Sequence, residues 1–191
     1  MAQVLKEEIH DRIIASGIDV FYEKNYRTAT MKEIAAKARI PVSLIYNYFK
    51  NKEELFEKIA GSLPIDPERI AREEERVDEG LPSDKYRNVT EDYILSLIEN
   101  YKVFIIVMDK SAGSGYEHAK DNFIGSLEAH IKKQLAENTG DVYDDMFAHI
   151  MANNFIEGIL EVARHYRDKE SSRVLLDLVI KCYYEGVNSL F

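Results

Sequence analysis

Apolar residues recur every three or four positions along most of this chain, which is the spacing of amphipathic helices. Clusters of Gly, Pro, Asn and Ser separate the periodic segments and mark their ends. The pattern predicts an all-α fold of about nine helices. They cover approximately residues 5–24, 31–37, 41–48, 52–60, 66–79, 89–109, 116–137, 142–167 and 172–190.

Residues 30–49 have the pattern of two short helices joined by a tight turn. Thr30 and Glu33 have the spacing of a capping box, which opens a helix by satisfying two backbone donors reciprocally. Pro41 suits the first position of the next helix, because its missing N–H needs no partner there. Asn51 then caps a further helix. Two short helices and a tight turn describe a helix-turn-helix motif.

The charge distribution agrees with a DNA-binding role for this region. Residues 24–52 contain seven Lys or Arg and one Glu, a net charge of +6, whereas the whole chain carries −9. A basic island on an acidic protein is the electrostatic footprint of phosphate binding. The solvated face of a helical bundle would carry similar charge. The capped helices and the nearby tyrosines favour DNA binding.

These positions resemble the N-terminal domain of the tetracycline-repressor (TetR) family. The residues that carry the resemblance are Ile14, Ala15, Phe21, Asn25, Tyr26, Thr30, Ile34, Ala35, Ala38, Ile40, Tyr46, Phe49, Lys52, Glu53, Glu54 and Leu55. The resemblance covers about residues 7–67. It implies an all-helical homodimer with a three-helix DNA-binding head and a ligand-binding and dimerisation body, here residues 68–191.

Two residues stand where this family usually has Gly. Asn25 tolerates the left-handed conformation that ends a helix. Arg39, in the turn of the motif, would cost roughly 1–2 kcal/mol in that conformation. Its side chain could contact a phosphate or simply be solvated.

By resemblance, the helix at residues 41–48 is the recognition helix, and its N-terminal residues reach base edges in the major groove. Val42 and Leu44 are candidates for apolar contact with thymine methyl groups. Ser43 could bond a base or a phosphate, and Asn47 could bind adenine.

Four further residues are candidate phosphate contacts. Tyr46 and Tyr48 stand where the family touches phosphates, with packing inside the head as the alternative, above all for Tyr46. Lys52 lies at a helix N-terminus, where a cation opposes the helix dipole and a phosphate would be favourable. We expect Lys52 and Thr30 to bind phosphate. The change Lys52→Ala should then flatten the salt dependence of binding by about one unit.

The last two predicted helices carry apolar stripes wider than a small body needs. A thick intramolecular core is one explanation. We favour an interface between two subunits, as in the family, which would hold two heads at the spacing of a palindrome. Cys182, the only cysteine, excludes an internal disulfide. We expect it to be a buried apolar residue near that interface.

The body also contains aromatic residues with polar residues in neighbouring turns, the composition of a small-molecule site. The candidates are Tyr93, Asn100, Tyr101, Phe104, Phe123, His130, Phe147 and Asn154. For any single one of these residues, core packing is the favoured role. The family resemblance, rather than the spacing, predicts a pocket, and an aromatic or lipophilic effector would suit it.

Catalytic and metal-binding motifs are absent from the sequence. There is no nucleophile elbow, no H-E-x-x-H and no cysteine cluster, and the five histidines include no i,i+4 pair. We predict no enzymatic activity, cofactor or metal. The longest strongly apolar run, Val103–Met108, is far shorter than the ~20 residues of a membrane span. With no signal peptide, we expect a cytoplasmic protein without a membrane partner.

These observations predict a regulator that binds a palindromic operator in double-stranded DNA as a homodimer. By resemblance it is a repressor that a small-molecule effector releases. The alternative is a helical ligand-binding or interaction protein whose head no longer binds specific DNA, since Arg39, Pro41 and Leu44 depart from the family pattern. An enzyme acting in a cavity of the body is a third, remote alternative.

Overall fold

The computed structural model describes residues 2–63, 90–138 and 143–189, and the regular elements in these ranges are helical. The predicted helix at residues 66–79 lies outside the described residues. The helices are α1 (Ala2–Glu23), α2 (Met31–Lys37), α3 (Val42–Ile45), α4 (Lys52–Ala60), α5 (Glu91–Glu99), α6 (Tyr101–Asp109), α7 (Ala119–Asn138), α8 (Asp145–Arg164) and α9 (Lys169–Asn188). The prediction of an all-α fold is confirmed.

The chain forms two compact units. The first comprises Met1–Pro64 and Lys102–Lys120, and the second comprises Ile65–Tyr101 and Asp121–Phe191. Helix α6 and the turn after it therefore pack with the N-terminal helices, although the sequence pattern assigns them to the body. The predicted boundary near residue 67 remains a prediction.

The first unit is built on a close crossing of α1 and α4 at Gly17. A Cβ atom at Gly17 would lie 2.8 Å from Cδ1 of Ile59 and 3.4 Å from Cδ2 of Leu55. Both residues of α4 are buried, and the Phe21 and Phe56 rings meet edge to face with centroids 5.1 Å apart. The absence of a side chain at Gly17 thus allows α4 to approach α1 closely. It sets α4 directly against α1, beneath the helix-turn-helix motif.

The predicted helix at residues 89–109 is wrong as a single element, because the chain breaks at Asn100. Asn100 has φ −98° and ψ 34°, and its side-chain amide donates to the carbonyl of Ser96 at 2.9 Å. Asparagine competes with the helical backbone in this way and favours helix ends. The apolar run Val103–Met108 is buried within α6, which belongs to the first unit.

In the second unit, α8 and α9 lie antiparallel. The Phe155 and Tyr183 rings have centroids 4.5 Å apart, and a Cβ at Gly158 would lie 3.0 Å from Val179. Both helices begin at an aspartate cap: Asp144 accepts the Met146 N–H and Asp168 accepts the Ser171 N–H, each at 2.8 Å. Helix α8 thus begins close to the start predicted for the helix at residues 142–167. None of the helices described is long and apolar enough to cross a membrane.

Candidate nucleic-acid interface

The N-terminus of α2 is closed by a complete capping box. The Glu33 N–H donates to Oγ1 of Thr30 at 3.3 Å, and the Glu33 carboxylate accepts the N–H and the hydroxyl of Thr30 at 3.1 and 2.9 Å. Lys24 lies 2.5 Å from the same carboxylate, and its hydrogen bond, with those from Thr30, lowers the pKa of Glu33. The donors predicted to hold a phosphate are therefore bonded to Glu33. A phosphate at Thr30 would have to displace that carboxylate.

The turn between α2 and α3 is a Schellman motif centred on Arg39. The N–H of Arg39 donates to the Ala36 carbonyl at 3.1 Å, and that of Ile40 to the Ala35 carbonyl at 3.0 Å. Arg39 has φ 55°, the only positive φ among the described non-glycine residues. The left-handed conformation expected for Arg39 is thus present, at a cost of roughly 1–2 kcal/mol.

Arg12 of α1 and Asn25, which follows α1, shape the loops on either side of α2. The Arg12 guanidinium donates to the carbonyls of Ala38 and Arg39 and so tethers the turn to α1. Asn25 is not left-handed, which corrects the expectation from sequence. Its side-chain oxygen instead accepts the N–H and the hydroxyl of Thr28 at 2.9 and 3.0 Å. Asparagine can organise a turn through its side chain without adopting a positive φ.

Helix α3 is shorter than predicted, and its chain continues as a tight turn to residue 48. The N–H groups of Asn47 and Tyr48 bond to carbonyls three residues earlier, at 3.1 and 3.0 Å. Ile45 is fully buried, and the buried Phe49 ring stacks on His10 with centroids 5.5 Å apart. These two anchors fix the orientation of the segment.

Fixing that orientation leaves one face of the segment open to solvent. Val42, Ser43, Tyr46 and Asn47 are exposed and lie at helical spacing on this face, which we call the recognition face. Leu44 and Tyr48 are half-buried beside it. Tyr46 is 50% exposed, so it is not packed inside the head.

Lys52 faces the loop before α2. Its ammonium donates to the carbonyls of Tyr26 and Ala29 at 2.6 and 3.0 Å and lies 4.3 Å from the centroid of the Tyr26 ring. The ammonium is therefore engaged within the head, and a phosphate would have to compete with these carbonyls for it. The carbonyl dipoles also offset the unfavourable position of a cation at a helix N-terminus.

Sequence reasoning missed the role of Glu53. The Tyr26 hydroxyl donates to one of its carboxylate oxygens, and the Gly115 N–H donates to the other at 2.8 Å. Burial, followed by the hydrogen bond to Glu53, raises the pKa of Tyr26 to about 12. The N–H of Tyr26 also donates to the Lys110 carbonyl at 2.8 Å. These bonds fix the turn after α6 to the loop before α2, and no local sequence signal reports them.

The basic island divides into paired and unpaired cations. Lys24 pairs with Glu33, Lys37 pairs with Glu23 and lies 3.7 Å from Asp19, and Lys52 binds the loop carbonyls. The remaining cations are exposed and form no ion pair with any residue that the structure describes. They are Arg27, Lys32, Arg39 and Lys50.

The eight candidate pocket residues are divided between the two units and differ in burial. Phe104 is fully buried in the first unit, whereas the other seven belong to the second. Tyr101 stacks on Tyr166 with centroids 4.4 Å apart, and Phe147 stacks on Tyr143 at 5.6 Å. Phe123 is buried, Tyr93 and His130 are half-buried, and Asn100 and Asn154 are exposed. Phe104 is therefore a core residue. The side chains of the two asparagines are exposed, so they do not line an enclosed cavity in the single chain.

Helices α8 and α9 expose large apolar side chains to solvent. These are Met146, Ile150, Val174, Leu175 and Leu178, which are 45% to 59% exposed. Cys182 is exposed in the single chain and lies one turn after Leu178 on the same face of α9, so its burial near a subunit interface remains a prediction. Within the described ranges, no group of His, Cys, Asp and Glu could hold a metal ion.

Known proteins share both this motif and the overall fold. Residues 13–59 match the family described as bacterial regulatory proteins, tetR family. The HTH-type transcriptional regulator YhgD of Bacillus subtilis (strain 168) is 24% identical over 178 residues, covering 88% of this chain and 92% of the relative.

Two solved structures give the same fold at low sequence identity. The MbdR regulator from Azoarcus sp. CIB matches with a TM-score of 0.67 and 16% identity, covering 93% of this chain and 98% of the other. The transcriptional regulator FadR from Bacillus subtilis, in complex with stearoyl-CoA, matches with a TM-score of 0.57 and 16% identity, covering 92% and 97%.

Proposed function

The chain is a TetR-family DNA-binding transcriptional regulator, and from this premise we propose that it is a repressor. It binds a palindromic operator as a homodimer and leaves the operator when a small-molecule effector binds. The observation that carries the proposal is the recognition face: four exposed side chains on a segment fixed by two buried anchors.

The recognition face has the chemistry of a major-groove contact. Val42 supplies an apolar surface for thymine methyl groups, and Ser43 and Asn47 supply hydrogen bonds to base edges. An Asn side chain pairs bidentately with adenine, which contributes about 1–3 kcal/mol of discrimination against other bases. Tyr46 places an exposed hydroxyl beside these groups, within the reach of a phosphate.

The apolar residues exposed on α8 and α9 support a homodimer. A two-fold interface places the same surface on both subunits, so the exposed apolar residues of α8 and α9 would serve both partners. Met146 and Ile150 lie in the N-terminal half of α8, and Val174 and Leu178 in the N-terminal half of α9. Burying them would fix the separation of two heads, and this separation sets the half-site spacing of the operator.

We place the effector in the second unit and favour a lipophilic compound. FadR, which has this fold, is known in complex with stearoyl-CoA. The effector can release the DNA only if it binds more tightly to the conformation that does not bind DNA than to the conformation that does.

Selection of duplexes from a random pool by the purified protein tests the proposal. We expect recovery of a palindrome, with affinity that falls steeply as salt rises. Asn47→Ala should relax the preference at one base pair in each half-site, whereas Asp177→Asn, on α9, should recover the original palindrome. Weak binding without any preferred sequence would contradict the proposal and favour a helical ligand-binding protein with an inactive head.

A further inference from the structure

Arg39 combines a strained backbone with an exposed charge. Its φ of 55° is one that glycine adopts without strain. Its backbone is nevertheless held by hydrogen bonds, since its N–H donates to Ala36 and its carbonyl accepts from Arg12 at 3.4 Å. Strained residues that the surroundings hold in place cluster at functional sites. The guanidinium itself forms no ion pair with a described residue.

Lys50 is the corresponding cation on the other side of the recognition segment. It follows the buried anchor Phe49, and its N–H donates to the Glu54 carboxylate at 2.6 Å, so its backbone is also fixed. Its side chain is exposed and, like that of Arg39, has no charged partner among the described residues. Arg39 and Lys50 therefore bracket α3 in the chain, one shortly before it and one shortly after it.

We propose that Arg39 and Lys50 are the phosphate-binding residues that position the recognition face in the major groove. This inference rests on the proposed function, because it assigns contacts within the same DNA complex. Lys24, Lys37 and Lys52 have partners within the head, which leaves these two as the fixed cations nearest to α3 in the chain. An exposed cation on a rigid backbone binds phosphate at a defined place, and such contacts set the register of a protein on a duplex.

Titration of each variant with the selected palindrome, at a series of salt concentrations, tests the assignment. Each phosphate contact contributes about 0.9 to the slope of log affinity against log salt, and a dimer holds two copies of each contact. Arg39→Gln and Lys50→Gln should each lower the slope by about two, and should weaken binding to a scrambled duplex to the same extent. The affinity of each variant relative to that of wild type should therefore rise roughly tenfold when the salt concentration is increased fourfold.

Three control variants separate the contact from the effects of charge and folding. Lys58→Gln removes the same charge from an exposed position on α4 and should leave the slope unchanged. Arg39→Lys keeps the charge and should retain the wild-type slope. Arg39→Gly should lower the slope of log affinity against log salt as much as Arg39→Gln does. It should also raise the thermal midpoint by roughly 2–4 °C, because glycine relieves the backbone strain.

The possible outcomes distinguish this inference from the proposed function. In one outcome, wild type selects a palindrome, but the salt slopes of Arg39→Gln and Lys50→Gln equal that of Lys58→Gln. The assignment of phosphate contacts is then overturned, and the repressor proposal stands. If wild type selects no sequence, both are overturned. A reduced slope in the two variants, with the wild-type slope in Lys58→Gln and Arg39→Lys, supports the assignment.

Discussion

Lys52 stabilises the head through the loop before α2. Lys52→Met keeps the length of the side chain but removes the donors that satisfy the Tyr26 and Ala29 carbonyls. We expect the free energy of unfolding to fall by about 1–2 kcal/mol, the usual effect of losing hydrogen bonds to a charged group. Urea denaturation followed by circular dichroism measures this change.

Lys50→Met is the matched control, because the Lys50 ammonium has no described partner within the head. Its stability should remain within about 0.5 kcal/mol of wild type. The salt dependence of DNA binding should follow the opposite order, reduced in Lys50→Met and retained in Lys52→Met. Equal stability of the two variants would return Lys52 to the phosphate contact that its sequence position suggests.

Tyr26 makes the stability of the head sensitive to alkaline pH. Its pKa is raised from 10.0 to about 12 in the folded chain. Below pH 10 the hydroxyl is protonated in both states. Between pH 10 and 12 it ionises first in the unfolded state, so the free energy of unfolding falls as pH rises. Urea midpoints of Tyr26→Phe should fall less steeply than those of wild type in this range. Parallel curves would show that Tyr26 does not titrate with unfolding.

At the residue scale, the sequence predicts contacts between near neighbours and misses the distant ones. The capping box of Thr30 and Glu33 is a spacing of three residues, and the structure has it as expected. The carbonyls that bind Lys52 lie more than twenty residues away along the chain, as does the Gly115 N–H that binds Glu53. The phosphate contacts of Thr30 and Lys52 are predicted from helix N-termini, a local signal that carries no information on internal acceptors distant in the chain.

The packing of α1 against α4 depends on the missing side chain of Gly17. Gly17→Ala would bring a methyl group within 2.8 Å of Ile59, which is 1% exposed and has little room to move. We expect a loss of stability of about 1 kcal/mol, after the gain in helix propensity is included. Thermal denaturation of the variant measures this change.

Gly125→Ala, on α7, is the control for helix propensity. A Cβ there meets nothing within 4 Å, and the residue is exposed. This variant should gain about 0.5–1 kcal/mol, because alanine favours a helix over glycine. If both variants gained stability, the α1–α4 crossing would not be limited by the side chain at position 17.

At the element scale, hydrophobic periodicity located the helices well and their interruptions poorly. Helix α2 has the predicted bounds, because a capping box opens it and a left-handed residue closes it. The break at Asn100 was missed, since the apolar period continues through it. The end of α3 was also placed too late, because its last residues keep helical spacing while making bonds of the tighter three-residue type.

At the scale of the whole molecule, the exposed apolar residues of α9 predict a dimer. A single charged residue introduced among them should separate the two subunits. Leu178→Glu places a carboxylate in the proposed interface, where its desolvation is costly. We expect a monomer by sedimentation velocity, with unchanged helix content, because Leu178 is 56% exposed in the single chain. Asp177→Asn, one residue earlier on the same helix, should remain dimeric.

Loss of the dimer should also weaken operator binding. Two linked heads bind two half-sites with an effective concentration that separate heads lack, so the monomeric variant should lose at least about a hundredfold in affinity for the palindrome. A Leu178→Glu protein that remains dimeric would show that the subunits meet through another surface.

The internal pairing of Lys24, Lys37 and Lys52 bears on how the protein finds its operator in a genome. Attraction between cations and phosphates provides most of the binding to arbitrary DNA and governs how long a protein slides before it dissociates. A head in which three of the seven cations of residues 24–52 have partners within the head, on a chain of net charge −9, binds random sequence more weakly than its composition suggests. Its dwell time at wrong sites is correspondingly short. The protein should then reach its operator more often by diffusion through solution than by long scans along the duplex.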